Sequence, residues 1–173
     1  MFVDITERPS RPTSDADASP VAILERARRR AVDSSRPYAG DLTPAEAGIL
    51  AQAGCARIID VRSRYEHEFV GRIEGSPLVE WRIYESDGSA AGIRSRPNER
   101  FVEQLRAVAR PDETLLFLCR SGVRSQGAAA AATAAGFSSA FNILEGFEGN
   151  PDERKQRSRS GGWRHAGLPW IQG

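Results

Sequence analysis

Leu115-Leu116-Phe117-Leu118-Cys119-Arg120-Ser121-Gly122-Val123-Arg124-Ser125 is the stretch that decides the fold. Four apolar residues run straight into a cysteine, and a short polar loop with one glycine and two arginines follows. The segment from Val123 to Ala135 is then rich in alanine, the best helix former, and Gly136 stands where a helix C-terminus favours glycine. An unbroken apolar strand, a tight loop and a helix make the repeating unit of a parallel sheet buried on both faces. The reading puts the Cys119 thiol at the carboxyl end of a strand and beneath a helix N-terminus, the place where open α/β sheets bind their ligands.

Working outward, the same alternation recurs. Leu42-Thr43-Pro44-Ala45-Glu46 starts a helix, with Thr43 as cap and Glu46 as its capping-box acid, and the helix stops at Gly54. Arg57-Ile58-Ile59-Asp60-Val61-Arg62 and Pro77-Leu78-Val79-Glu80-Trp81 read as short strands. Glu85 to Pro97 carries Asp-Gly, Ala-Gly and Pro signals and reads as a loop. Asn98 to Arg110 is helical, with Phe101, Leu105 and Val108 on one side, and Ala140 to Leu144 is the last strand. Trp81 is expected to fill the core rather than line a site. Strands alternating with helices predict an α/β fold whose mostly parallel sheet is flanked by helices on both faces.

The ends are read separately. Residues 1–19 are rich in Pro, Ser, Asp and Thr and are expected to be disordered. Ser19-Pro20 opens a helix over residues 20–35 with Val21, Leu24, Ala27, Ala31 and Val32 on its packing face. The domain proper is assigned to residues 36–149. Residues 150–173 form a tail pinned on it by Trp163, Leu168 and Trp170.

Composition narrows the function. The chain has 173 residues, 40% of them apolar, enough for one core with extensions. Its net charge is +1, so overall charge supports neither a nucleic-acid nor a membrane-surface partner, although Arg28 to Arg30 and Arg154 to Arg159 are basic clusters. The two cysteines, Cys55 and Cys119, lie far apart, with no zinc spacing and no disulfide framework. No basic-then-apolar leader opens the chain and no long apolar stretch occurs, which predicts a cytoplasmic protein.

The loop itself carries chemistry. A thiol is a poor nucleophile until ionised, its unperturbed pKa being about 8.5. A helix N-terminus offers unsatisfied N–H groups and partial positive charge, both of which favour the thiolate. Residues Arg120, Ser121, Gly122, Val123, Arg124 and Ser125 bend the chain back over the sulfur, so that successive N–H groups form an anion nest. Arg120 and Arg124 add guanidinium charge suited to an oxyanion. An inert core thiol is a common fate for cysteine, but such a thiol has no need of two arginines, a glycine and two serines downstream. Cys55, beside Gly54, is read as structural.

Three other loop chemistries fail on spacing. Gly122 and Gly127 are spaced as in a phosphate-binding P-loop, but Ala128-Ala129 replaces its Lys-Ser/Thr. A cysteine phosphatase needs its arginine after five intervening residues, where this chain has Ser125, and Arg124 comes one residue early. A Cys–His hydrolase needs a histidine base, and only His67, in a charged stretch, and His165, in the tail, exist.

With these residues in hand, the chain resembles the rhodanese family over about Leu42 to Gly149. The resemblance rests on Ile59-Asp60-Val61-Arg62, on Glu68-Phe69-Val70-Gly71-Arg72-Ile73-Glu74-Gly75-Ser76, on the Cys119–Ser125 loop and on Leu144-Glu145-Gly146-Phe147. The tail from Gly161-Gly162-Trp163 to Trp170 looks like the ending of a bacterial single-domain subgroup. Arg72 departs from the family, many of whose members carry His there. The resemblance implies a rhodanese-like fold with a five-stranded, mostly parallel sheet, and sulfurtransferase chemistry without metal or organic cofactor. Cys119 would be the nucleophile and sulfur carrier, and the backbone N–H groups from Arg120 to Ser125 would stabilise thiolate and persulfide. Arg120 and Arg124 would hold a small anionic donor such as thiosulfate or a persulfide, and Asp60 and Arg62 would brace the loop. The acceptor would be a thiol or cyanide, with a sulfur-carrier protein as a further partner. Rhodanese-like domains also serve as non-catalytic regulatory or interaction modules, and the same fold hosts phosphatases and arsenate reductases.

Overall fold

The computed structural model describes residues 19–89 and 92–173. The expected disorder over residues 1–18 lies outside the described residues.

Ser19 caps the first helix, α1 (Pro20–Asp33), its side chain accepting from the Ala22 N–H. Ile23, Ala27 and Ala31, four residues apart, form the buried stripe, whereas Val21 and Val32 are exposed. The expected face was therefore set too wide: one helical row meets the sheet, and both valines lie off the same side of it. The first strand, β1 (Gly40–Leu42), follows. It was not read from the sequence, being only three residues long without an apolar run. Next comes α2 (Pro44–Gln52), whose capping box is complete: Thr43 Oγ1 accepts from the Glu46 N–H, and Glu46 accepts from the Thr43 N–H.

The remaining elements are β2 (Arg57–Asp60), α3 (Arg64–Phe69), β3 (Arg82–Ser86), β4 (Ile93–Pro97), α4 (Phe101–Val108), β5 (Leu115–Leu118), α5 (Val123–Ala134) and β6 (Ala140–Ile143). Four strands form a wholly parallel sheet in the order β1-β6-β5-β2. The expected fifth strand is reduced to one parallel bridge, Asp60 to Leu78, supported by backbone bonds from the Val79 N–H to Asp60 O and from the Trp81 N–H to Val61 O. Residues 85–97, expected as a loop, instead contribute to the antiparallel hairpin β3–β4. The Asp87-Gly88 signal marks its turn rather than a long loop, because alternating polar residues pair as well on an exposed two-stranded ribbon as on a core face.

The apolar residues of the sheet separate by parity into two cores. Leu115 and Phe117 of β5, and Cys119 just beyond, face Phe101 and Leu105 of α4 and Ala128, Ala129 and Ala132 of α5. Leu116 and Leu118 face Ile23 and Ala27 of α1, Leu50 of α2, Phe147 and Trp163. A parallel sheet clad on both faces explains why β5 is apolar at every position. The tail is held by the buried Trp163, whose N–H donates to Gly146 O at 2.8 Å and whose indole N–H donates to Pro169 O at 2.8 Å.

Candidate active site

Cys119 follows the last residue of β5 and lies on the α4/α5 side of the sheet. The chain then turns through Gly122, which occupies the N-cap of α5 with φ +86°. A side chain there would be strained by that φ, and its Cβ would sit 2.9 Å from the Glu145 nitrogen. The turn aims the Gly122 N–H at Cys119 Sγ, 3.2 Å away. The Ser125 hydroxyl, one turn into α5, is also 3.2 Å from the sulfur. Two carbonyls of the loop point the other way: Cys119 O accepts from the Phe147 N–H at 2.7 Å and Arg120 O from the Glu148 N–H at 2.9 Å. With carbonyls turned outward and donors inward, the loop presents positive ends of dipoles to the sulfur.

A buried polar chain runs on from Ser125. Its hydroxyl is 2.6 Å from Asn142 Oδ1, Asn142 Nδ2 donates to Asp41 Oδ1 at 2.8 Å, and the Tyr38 hydroxyl donates to the same carboxylate oxygen at 3.0 Å. Burial, aided by the Asp41 charge, raises the Tyr38 pKa and keeps the phenol a donor. A serine hydroxyl carries one proton. Ser125 therefore donates either to Asn142 or to an anionic Sγ, not to both at once. Neither Asp41 nor Asn142 was singled out in the sequence, since Asp41 lies in the strand that was not read and Asn142 looks like an ordinary strand residue until β1 and β6 are paired.

The arginines divide. Arg120 is exposed at the loop surface. Arg124 is not free to meet an anion as expected: its Nη2 and Nη1 donate to Glu66 Oε1 at 2.6 Å and Oε2 at 2.8 Å. Glu66 belongs to α3, where it also closes a capping box by accepting from the Ser63 N–H at 3.1 Å. Burial alone would raise the Glu66 pKa, but the Arg124 guanidinium and the Ser63 donors hold it at about 2. Burial likewise opposes the charge of Arg124, and Glu66 more than restores it. α3 was not read from the sequence, although Ser63-x-x-Glu66 is a capping-box signal that could have found it. The pairing of Glu66 with Arg124, 58 residues away, carries no such signal.

Arg120, Ser121, Val123 and Arg124 form a wall of a cleft of about 830 Å³ that Tyr84 and Ile93 of the hairpin and Tyr65 and Glu66 of α3 also line. Cys119, 1% exposed, lies beneath that wall rather than on the lining.

Asp60 and Arg62 are fully buried, unlike an ordinary exposed strand-end pair. Arg62 Nε and Nη2 grip the Asp60 carboxylate, Nη2 also donates to Gly71 O at 2.7 Å, and the guanidinium stacks 4.2 Å from the centroid of Phe147. Phe147 is the residue whose N–H holds the Cys119 carbonyl. The pair thus touches the loop through Phe147. Trp81 packs edge-on against Phe101 at 5.0 Å and belongs to the core side. His67 is half-buried rather than a solvated surface residue, and burial lowers its pKa; His165 is exposed in the tail. Cys55 is exposed at the opposite, amino edge of the sheet, so it fills no core position. Among the described residues no group of His, Cys, Asp and Glu gathers as a metal-ligand set, and no helix is long and apolar enough to cross a membrane.

Comparison with known proteins agrees with this architecture. The crystal structure of Rv0390 from M. tuberculosis is similar at 41% identity and TM-score 0.65, over 79% of this chain and 99% of that one. The rhodanese-like domain of the Alr3790 protein from Anabaena is similar in fold, at 14% identity and TM-score 0.53, over 77% and 79% of the two chains. A Rhodopseudomonas palustris protein described as of unknown function and possible tyrosine phosphatase, RPA3614, is similar at 25% identity and TM-score 0.50, over 95% and 99%. An uncharacterized protein of Rickettsia conorii, RC0915, is 43% identical over 56 residues, 32% of this chain and only 40% of that relative. The model of the rhodanese-like domain matches residues 43–150, more than half of the sequence, and the chain belongs to that family.

Proposed function

We propose that the protein is a sulfurtransferase that moves sulfane sulfur from thiosulfate or a related persulfide donor to a thiophilic acceptor through a persulfide on Cys119. The observation that carries this reading is the pair of donors, the Gly122 N–H and the Ser125 hydroxyl, both 3.2 Å from Sγ at the N-terminus of α5. Such donors stabilise a sulfur anion more than a neutral thiol, before and after it gains a second sulfur. The Cys119 thiolate attacks the outer sulfur of thiosulfate. The bond between the two donor sulfurs breaks, its electron pair leaves with sulfite, and a new S–S bond joins the outer sulfur to Cys119. An acceptor, cyanide or a thiol, small or borne on a sulfur-carrier protein, then takes that sulfur and regenerates the thiolate. The cycle is covalent and two-step, with ping-pong kinetics. Asp60 and Arg62 act in it as braces of the loop through Phe147.

The test is incubation with a sulfane donor followed by mass measurement of Cys119. Gain of one sulfur atom is expected, and its loss in a folded Cys119→Ser variant. No gain with thiosulfate or any organic persulfide would refute the reading. The burial of Cys119 beneath the cleft wall favours a second one, a non-catalytic interaction module, which that negative result would support. Phosphatase activity, raised by the description of the R. palustris neighbour, is disfavoured because Arg124 comes one residue early and is already paired with Glu66. Hydrolysis of an aryl phosphate at a useful rate would reverse that judgement.

A further inference from the structure

The Arg124–Glu66 pair bears on which donor the cleft accepts. A small dianion such as thiosulfate needs cations around its sulfonate oxygens. The loop supplies two guanidinium groups, but one is already neutralised. Each terminal nitrogen of Arg124 gives a hydrogen to Glu66, at 2.6 and 2.8 Å, so the carboxylate offsets its charge, and Nη1 also donates to the Tyr84 hydroxyl at 3.4 Å. Glu66 is fixed in turn, its Oε2 accepting from both the Ser63 N–H and the Ser63 hydroxyl, at 3.1 and 2.9 Å. The carboxylate does not swing away without breaking the cap of α3. A sulfonate drawn to Arg124 would meet this carboxylate in the same cleft, charge against charge. Only Arg120, exposed on the loop, is left without such a lock.

The size and lining of the cleft point the same way. Its volume of about 830 Å³ is that of a pocket for an organic molecule rather than for an ion of five atoms. Tyr65, Tyr84, Ile93 and Val123 give it apolar wall, and Val123 and Ile93 are 68% and 74% exposed beside the loop.

We propose that Glu66 is a specificity-determining residue: by neutralising Arg124 it makes the cleft select an organic persulfide over inorganic thiosulfate as sulfur donor. This rests on the sulfur-transfer reading above. In the step, the Cys119 thiolate attacks the outer sulfur of R–S–SH. The R–S to S bond breaks with its electron pair left on R–S⁻, and the outer sulfur, keeping its proton, becomes Cys119–S–SH. The organic body R stays in the cleft until release. No oxidant or reductant is consumed.

The experiment measures persulfidation of Cys119 by thiosulfate and by glutathione persulfide, in the wild type and in Glu66→Gln. Glutamine keeps an oxygen for the capping box and removes the charge, its NH2 replacing the oxygen that accepts from Arg124 Nη2. In the wild type, kcat/KM for glutathione persulfide is expected to exceed that for thiosulfate by at least about tenfold, the worth of one net charge interaction in a partly solvated cleft. In Glu66→Gln the thiosulfate KM is expected to fall by about tenfold with kcat held, while that of glutathione persulfide, whose reacting form carries half the net charge, changes by about threefold or less. A purely structural role for Glu66 would lower kcat for both donors alike and would overturn the proposal. So would a wild type that uses thiosulfate as well as or better than glutathione persulfide, a result that decides the matter even if Glu66→Gln does not fold. Persulfidation by neither donor would instead overturn the sulfur-transfer reading on which the proposal stands.

Discussion

Asp60→Ala is the most informative perturbation of the framework behind the loop. Both members of the Asp60–Arg62 pair have fully buried side chains, and the carboxylate accepts from the Arg62 backbone N–H, Nε and Nη2 at 3.0, 3.0 and 2.6 Å. Arg62 Nη1 is already buried without a hydrogen-bond partner. Removing the carboxylate leaves a guanidinium in the interior with only Gly71 O and the face of Phe147 to meet it. Breaking a buried pair in this way costs about 3–5 kcal/mol, against about 0–1 for an exposed one. For a chain of this size about 2–4 °C of Tm accompanies each kcal/mol, so the melting point should fall by about 6–20 °C. Denaturant unfolding of Asp60→Ala, with Asp60→Ala/Arg62→Met alongside, is the assay. The double variant should recover much of the loss, because a well-packed apolar replacement leaves no stranded charge. Since Phe147 carries the N–H that holds the Cys119 carbonyl, the single variant should also lose sulfur transfer more than a variant equally destabilised at the α1 stripe. A loss of stability below about 1 kcal/mol would refute the reasoning and return the pair to the rank of a surface contact.

Gly146→Ala should abolish sulfur transfer: at φ +62° its Cβ would press on the Cys119 carbonyl oxygen and lie 2.7 Å from the Arg120 carbonyl carbon, and a variant as active as the wild type would disprove the close approach. Acid unfolding should reveal Glu66. Its folded pKa of about 2 lies below its ordinary value of 4.5, so the stabilisation is full above 4.5 and is lost as the pH falls toward 2. The amount is about 3 kcal/mol at most, and Glu66→Gln should flatten that part of the stability–pH curve. Cys55→Ser should leave sulfur transfer unchanged in a steady-state assay, because Cys55 is exposed at the sheet edge opposite Cys119.

Much of this molecule is local and was readable from the residue order. The apolar run Leu115 to Leu118, the alanines of α5, the caps Ser19 and Thr43 and the glycine at 122 each act within one turn or one strand, where propensity and sterics decide. Those features were enough for an α/β fold with a cysteine at the end of a parallel strand. The pattern could not reveal how far each strand finds partners: Leu78 makes one bridge, while the polar residues of β3 and β4 pair as a ribbon, because ladder length depends on what lies beside a strand. Nor could it reveal the company of charges. Arg124 meets Glu66, Ser125 meets Asn142 and through it Asp41, and Arg62 meets Phe147, at separations of 58, 17, 101 and 85 residues. Electrostatics and hydrogen bonding act over a few ångströms of space whatever the distance along the chain. The order of residues therefore determined where the sulfur stands, and the packing of α3, β1 and β6 around it decided which charges and donors it faces.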